Sequence, residues 1–128
     1  MNKKLFEKFG DPELCPVRNV VDRIGDKWSV LVLLVLEEGG VLRFNEVYEV
    51  INTISQKMLS VTLKSLESDG LIHRTVYPQI PPRVEYGLTE RGHSLIPHLK
   101  NLIGWAQENM DVIRKSREIY CASLEGKN

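Results

Sequence analysis

The hydrophobic rhythm of residues 53–88 changes partway along, and that change limits the folds open to the chain. TISQKMLSVTLKSLESDG places Leu59, Leu63 and Leu66 on one side at a 3.6-residue period, with Ser55 as a cap and Gly70 as a stop. The following LIHRTVY, PQIPP and RVEYGL have the pattern of strand, turn and strand. Three prolines in that five-residue turn stiffen its backbone and favour an exposed loop. The chain therefore carries a capped amphipathic helix that leads directly into a short, stiff hairpin.

The flanking segments fit around this unit. A short helix is expected over about 43–51, with Phe44, Val47 and Ile51 inward and INT as the turn before Ser55. Upstream, KWSVLVLLVLEE from near Asp26 to Gly39-Gly40 is apolar nearly all round and reads as the central buried helix. Pro16 suits a first helical position, and Val17, Val20, Val21 and Ile24 form a stripe closed by Gly25. Residues 1–14 are polar, with Leu5, Phe6 and Phe9 as anchors on a short helix or a loose arm. Downstream, Thr89 caps a last helix from about 90 to 117 that contains Pro97. Its stripe of Leu95, Leu99, Leu102, Ala106 and Ile113 runs past what one small domain needs. No internal repeat or low-complexity linker interrupts the chain. The order predicts a single mainly α winged helix-turn-helix domain over 1–128. Its recognition helix lies at about 55–69 and its β-hairpin wing at about 71–88.

Charge bears on the partner. Seventeen basic and 17 acidic residues balance over 128 residues, which argues against a simple polycation. The balance does not hold locally. Residues 29–52 set Glu37, Glu38, Glu46 and Glu49 against Arg43, whereas residues 53–84 set Lys57, Lys64, Arg74 and Arg83 against Glu67 and Asp69. On the helix from Ser55, Gln56, Lys57, Ser60, Val61 and Lys64 lie away from the leucine stripe or at its flank, with no acid before Glu67. Such a face enters a DNA major groove, where its first residues reach base edges and Ser55 with the first-turn amides holds a phosphate. Gln79 and Arg83 on the wing are candidate DNA contacts, Arg83 to a phosphate or the minor groove. The competing reading is a capped, solvated helix face and a solubilising arginine. The turn-helix before it and the proline-tipped hairpin after it favour double-stranded DNA.

The blocks CPV, IGDKW, RFNEV, ISQKML and LESDGLIHRTVYPQIPPRVEYGLTERG, with Trp105, resemble HxlR-type transcriptional regulators, a MarR-like winged-helix family. The resemblance covers roughly residues 15–106 in matching order. It implies a homodimer on palindromic operator DNA, with the helix from Ser55 in the major groove. The N-terminal helix and the helix at about 90–117 would form the dimer contact. Two departures stand out. Asp26 takes a place where a second glycine is frequent, and INTIS lacks the proline or glycine often found before the recognition helix.

Cys15 precedes a helix start, where the helix dipole favours a thiolate, and Arg18 adds a positive charge within reach. The resemblance implies oxidant or electrophile sensing at such an N-terminal cysteine. The alternative is a small buried cap residue. Cys121, in a polar tail, is the one residue available to resolve Cys15 as a disulfide. Two cysteines are too few for a disulfide framework and suit a reducing cytoplasm. VLVLLVL, the longest apolar run, falls far short of the ~20 residues of a membrane span. His73, His93 and His98 lack metal-ligand spacing, and no cofactor or metal is expected. Trp28, Trp105, Tyr77 and Tyr86 read as core or interface. No Gly-rich phosphate loop or acid–base pair supports an enzyme, although a thiol-dependent activity at Cys15 is the rival from another class. A winged-helix module that has lost DNA binding should show an acidic or apolar recognition face, which Lys57 and Lys64 contradict. A regulator that answers a small-molecule inducer rather than an oxidant stays open.

Overall fold

The computed structural model describes residues 2–126; the ends of the expected 1–128 domain, residues 1, 127 and 128, lie outside them. The chain divides into two compact units, Met1–Ile96 and Pro97–Asn128. The first holds α1 (Lys3–Phe9), a π-helical turn (Val17–Val21) running into α2 (Asp22–Ile24), α3 (Lys27–Gly39), β1 (Leu42–Arg43), α4 (Phe44–Ile51), α5 (Gln56–Ser68), β2 (Ile72–Tyr77) and β3 (Arg83–Leu88). It also contains the start of α6 (Glu90–Glu125). This is a winged helix-turn-helix: mostly helical, with a small antiparallel sheet in the order β1-β3-β2.

The core of the first unit draws on every central element. Val32, Leu33 and Leu36 of α3, Val47 of α4, Ile54, and Leu59, Leu63 and Leu66 of α5 are all buried, with Ile72, Leu88 and Ile96. Each fully buried leucine contributes roughly 1.5–3 kcal/mol over an exposed one. The expectation of an all-round buried α3 is corrected. One face is buried, while Val30, Leu34 and Val35 are half-buried and Leu31 is exposed. Asp26 caps α3: its carboxylate accepts from the amides of Trp28 and Ser29 and from the buried Ser29 hydroxyl at 2.7 Å. The residue that departs from the family pattern therefore has a structural task at that helix start.

The hairpin is longer in partners than the sequence implied. Two residues, Leu42 and Arg43, add a third strand opposite Tyr86 and Glu85. A two-residue strand carries no readable alternation. Thr89 ties the sheet to α6. Its hydroxyl donates to the Gly70 carbonyl at 2.6 Å and accepts from the Gly92 amide at 3.1 Å. A Cβ at Gly92 would stand 2.1 Å from the Leu71 carbonyl oxygen, so this close approach requires glycine.

The outer segments expose most of their apolar residues. In the stripe before Gly25, Val17, Val20 and Val21 are exposed, and only Ile24 is buried. The first segment forms a helix, with Leu5, Phe6 and Phe9 exposed on it. The last helix does not stop near 117 but continues to Glu125. Cys121 therefore lies on an exposed helical turn, not in a loose tail. In the second unit Trp105, Met110, Val112, Ile119 and Tyr120 are exposed apolar side chains.

Candidate nucleic-acid interface

The candidate interface comprises α4, the turn after it, α5 and the wing. Glu46 accepts from the Arg43 amide at 2.9 Å and fixes the start of α4. The turn solves the problem posed by its missing glycine. Asn52 adopts φ 69°, a positive value that asparagine tolerates better than most residues. The Asn52 amide closes on the Tyr48 carbonyl at 2.9 Å, and Ile54 plugs the turn into the core.

Ser55 then starts α5, its hydroxyl accepting from the Met58 amide at 3.0 Å. The helix itself supplies no partner for the amides of Gln56 and Lys57, which remain donors at its positive end. Leu59, Thr62, Leu63 and Leu66 are buried against α3 and β2. Thr62 satisfies its buried hydroxyl by donating to the Met58 carbonyl at 2.8 Å. Gln56, Lys57, Val61 and Lys64 are exposed, and Ser60 is half-buried. The sequence therefore separated the two faces correctly. The exposed set offers an amide, two ammonium groups and a branched apolar group. An amide can pair with an adenine edge, a lysine with a guanine edge or a phosphate, and an apolar group with a thymine methyl.

The C-terminal end of α5 is held by a residue that the sequence reading missed. Arg23 of α2 donates through Nε to both carboxylate oxygens of Asp69, at 2.8 and 3.1 Å, with Nη2 3.4 Å from the Ser68 hydroxyl. The Asp69 hydrogen bond, then its charge, raises the Arg23 guanidinium above its ordinary range. No local spacing relates positions 46 residues apart, so only the tertiary fold could reveal the pair. Gly70, at φ 74°, ends the helix as expected.

On the wing, Tyr77 faces Arg83 as the last pair before the 78–82 loop. The Arg83 guanidinium lies 4.3 Å from the Tyr77 ring centroid, and its Nε is buried without a hydrogen-bond partner. Arg83 is thus half-buried at the neck of the hairpin rather than extended from its tip. Gln79 is exposed in the loop beside a fully exposed Ile80.

The two remaining candidates lie elsewhere in the first unit. Cys15 is buried, at 2% exposure. Arg18 donates to the Gly10 carbonyl at 2.7 Å and the Phe9 carbonyl at 3.5 Å. These two contacts tie Arg18 to the end of α1. Among the described residues, no group of three or more His, Cys, Asp or Glu side chains is placed to hold a metal ion, and no helix is long and apolar enough to cross a membrane.

Comparison with known proteins supplies the family. Residues 23–114 match the HxlR-like helix-turn-helix family model. An HTH-type transcriptional regulator of Methanothermobacter thermautotrophicus is 52% identical over 102 residues, covering 79% of this chain and 77% of the relative. The HTH-type transcriptional regulator YdeP of Bacillus subtilis is 45% identical over 116 residues, covering 89% and 90%. Among solved structures, the reduced form of the redox regulator HypR is 41% identical, with a TM-score of 0.72 over 78% of this chain and 98% of that one. Diamide-treated YodB from B. subtilis is 38% identical, with a TM-score of 0.64 over 73% and 93%.

Proposed function

From the premise that this chain belongs to the HxlR-like helix-turn-helix family of transcriptional regulators, we propose that it binds operator DNA sequence-specifically as a homodimer, with α5 in the major groove. The observation that carries this reading is the exposed face of α5. Gln56, Lys57, Ser60, Val61 and Lys64 supply donors, positive charge and one apolar contact on a helix whose other face is locked into the core. Ser55 and the first-turn amides receive a backbone phosphate, which sets the depth of the helix in the groove. The acidic residues of α4, Glu46 and Glu49, belong to the preceding helix and leave the reading face basic.

The homodimer is supported by apolar surface in each unit. Leu5, Phe6, Phe9, Val17, Val20 and Val21 are exposed in the first unit, and Trp105, Met110 and Val112 in the second. Exposed apolar residues in such number mark association surfaces, and a two-fold dimer matches a palindromic site. Selection from a pool of random-sequence duplexes, followed by sedimentation of the complex, tests both parts. The expected outcome is an inverted-repeat sequence carrying two chains, with half-sites about 34 Å apart or a small multiple of that. A single chain on a site without symmetry would contradict the dimer.

Redox control through Cys15 is the second reading, favoured by the similarity to HypR and YodB, whose solved forms include oxidised and diamide-treated states. Cys15 is buried beside Pro16 and the π-helical turn, so an oxidant reaches it when this segment opens locally. Modification would then hold the segment away from its packed position. Diamide should alter operator affinity in the wild type and leave Cys15→Ser unchanged. Equal responses in the two proteins, or none in either, would leave Cys15 as a core residue and point to a small-molecule inducer.

A further inference from the structure

A fully exposed side chain in the wing loop is apolar. Ile80 is fully exposed, flanked by Gln79 and by Pro78, Pro81 and Pro82. The arginine expected to reach outward, Arg83, is stacked on Tyr77 at the neck. We propose that Ile80 is a wedge that enters the minor groove beside the α5 contact and partly unstacks a base step, so that the wing selects deformable DNA; this deepens the DNA-binding reading and rests on it.

Charge identifies the occupant as nucleic acid. The segment from Leu71 to Val84 carries Arg74 and Arg83 and no carboxylate; Glu85 is the first acid, set back along β3. A polyanion is drawn to that hairpin, whereas the residues of its tip, 78–82, are uncharged. The wing thus combines positive charge along its strands with an apolar end.

Reach and stiffness agree. Six paired positions from Ile72↔Leu88 to Tyr77↔Arg83 extend the hairpin about 20 Å from its buried root. Half a turn of DNA, the step from a major groove to the next minor groove, is about 17 Å. Three prolines and the Tyr77–Arg83 contact restrict the tip before binding, so little freedom remains to be lost when Ile80 is inserted. Apolar side chains placed between base steps unstack and kink DNA, and pyrimidine–purine steps yield most easily. Specificity at this position is then a matter of deformability and not of hydrogen bonds to bases.

The test uses the full chain and a duplex that the wild type recovers from a random-sequence pool, with 2-aminopurine placed at the steps flanking the α5 contacts. Binding of the wild type should raise the fluorescence at one flanking step. It should also favour TA or CA there over a stiff A-tract by about tenfold. Ile80→Ala should lose the fluorescence rise and the step preference, and bind the selected duplex about tenfold more weakly. Its salt slope and thermal midpoint should match the wild type, because no charge or buried group is removed. An Ile80→Ala protein that retains the wild-type fluorescence and step preference overturns the wedge and leaves DNA binding by α5 intact. A wild type that recovers no duplex from the pool overturns both.

Discussion

Leu63→Ala is expected to destabilise the protein by about 2–5 kcal/mol, the range for removing a large side chain from a packed core. Leu63 is 2% exposed on α5, a helix packed against both α3 and β2. Its removal leaves a cavity at the junction of the helix-turn-helix and the wing, and the thermal midpoint should fall by on the order of 10 °C or more. Operator binding should weaken with it, because the recognition face is held in place by this contact. Val61→Ala, two positions earlier on the opposite face and 53% exposed, provides the comparison. Its effect on stability should stay within about 0.5 kcal/mol. Thermal or denaturant unfolding of the two variants decides the matter. Equal losses would mean that the two faces of α5 have been assigned wrongly.

The second large effect is expected in binding, at the start of the same helix. Gln56→Ala should lose roughly 1–3 kcal/mol on the selected operator and relax discrimination at one base pair. Lys57→Ala distinguishes two roles for the ammonium group. If it contacts a phosphate, affinity falls on all sequences and the salt slope decreases by about one. If it pairs with a guanine edge, the loss is confined to one operator position. Both side chains are exposed, so neither substitution should move the unfolding transition appreciably. Undiminished binding by both variants would remove α5 from the interface.

The parts of this fold that could be read from sequence are those with a local physical signature. The leucine stripe of α5, the Ser55 cap, the Gly70 stop and the change to strand alternation each depend on residues within a turn or two of one another. Both strands of the hairpin could be read for that reason, and the PQIPP turn announced itself by composition. The family resemblance rested in part on these same blocks. What could not be read depends on distance or on a partner surface. β1 is two residues held by Tyr86 and Glu85, and Arg23 meets Asp69 across 46 positions. The valines before Gly25 have helical spacing, but spacing alone does not tell whether a stripe faces its own core or solvent; only Ile24 is buried there. The stacking of Arg83 on the Tyr77 ring is likewise a cross-strand contact that no local spacing announces. The turn at Asn52 was a departure from the family pattern that the backbone accommodates through a positive φ. For the interface, the α5 face was legible because exposure alternates with burial along a regular helix. Exposure at the wing tip was not legible, because it depends on which neighbours fold back.

Sequence-specific reading of DNA by α5 is tested most directly by competition binding of the wild-type protein, with its selected duplex and a scrambled duplex of the same length and composition, across a salt series. Specific recognition should appear as a preference of at least about a thousandfold for the selected sequence at physiological salt. Both affinities should fall as salt rises, because phosphate contacts release counterions, while the preference persists. Equal affinity for the two duplexes, vanishing together at moderate salt, would show only electrostatic attachment and would contradict α5 as an element that reads sequence.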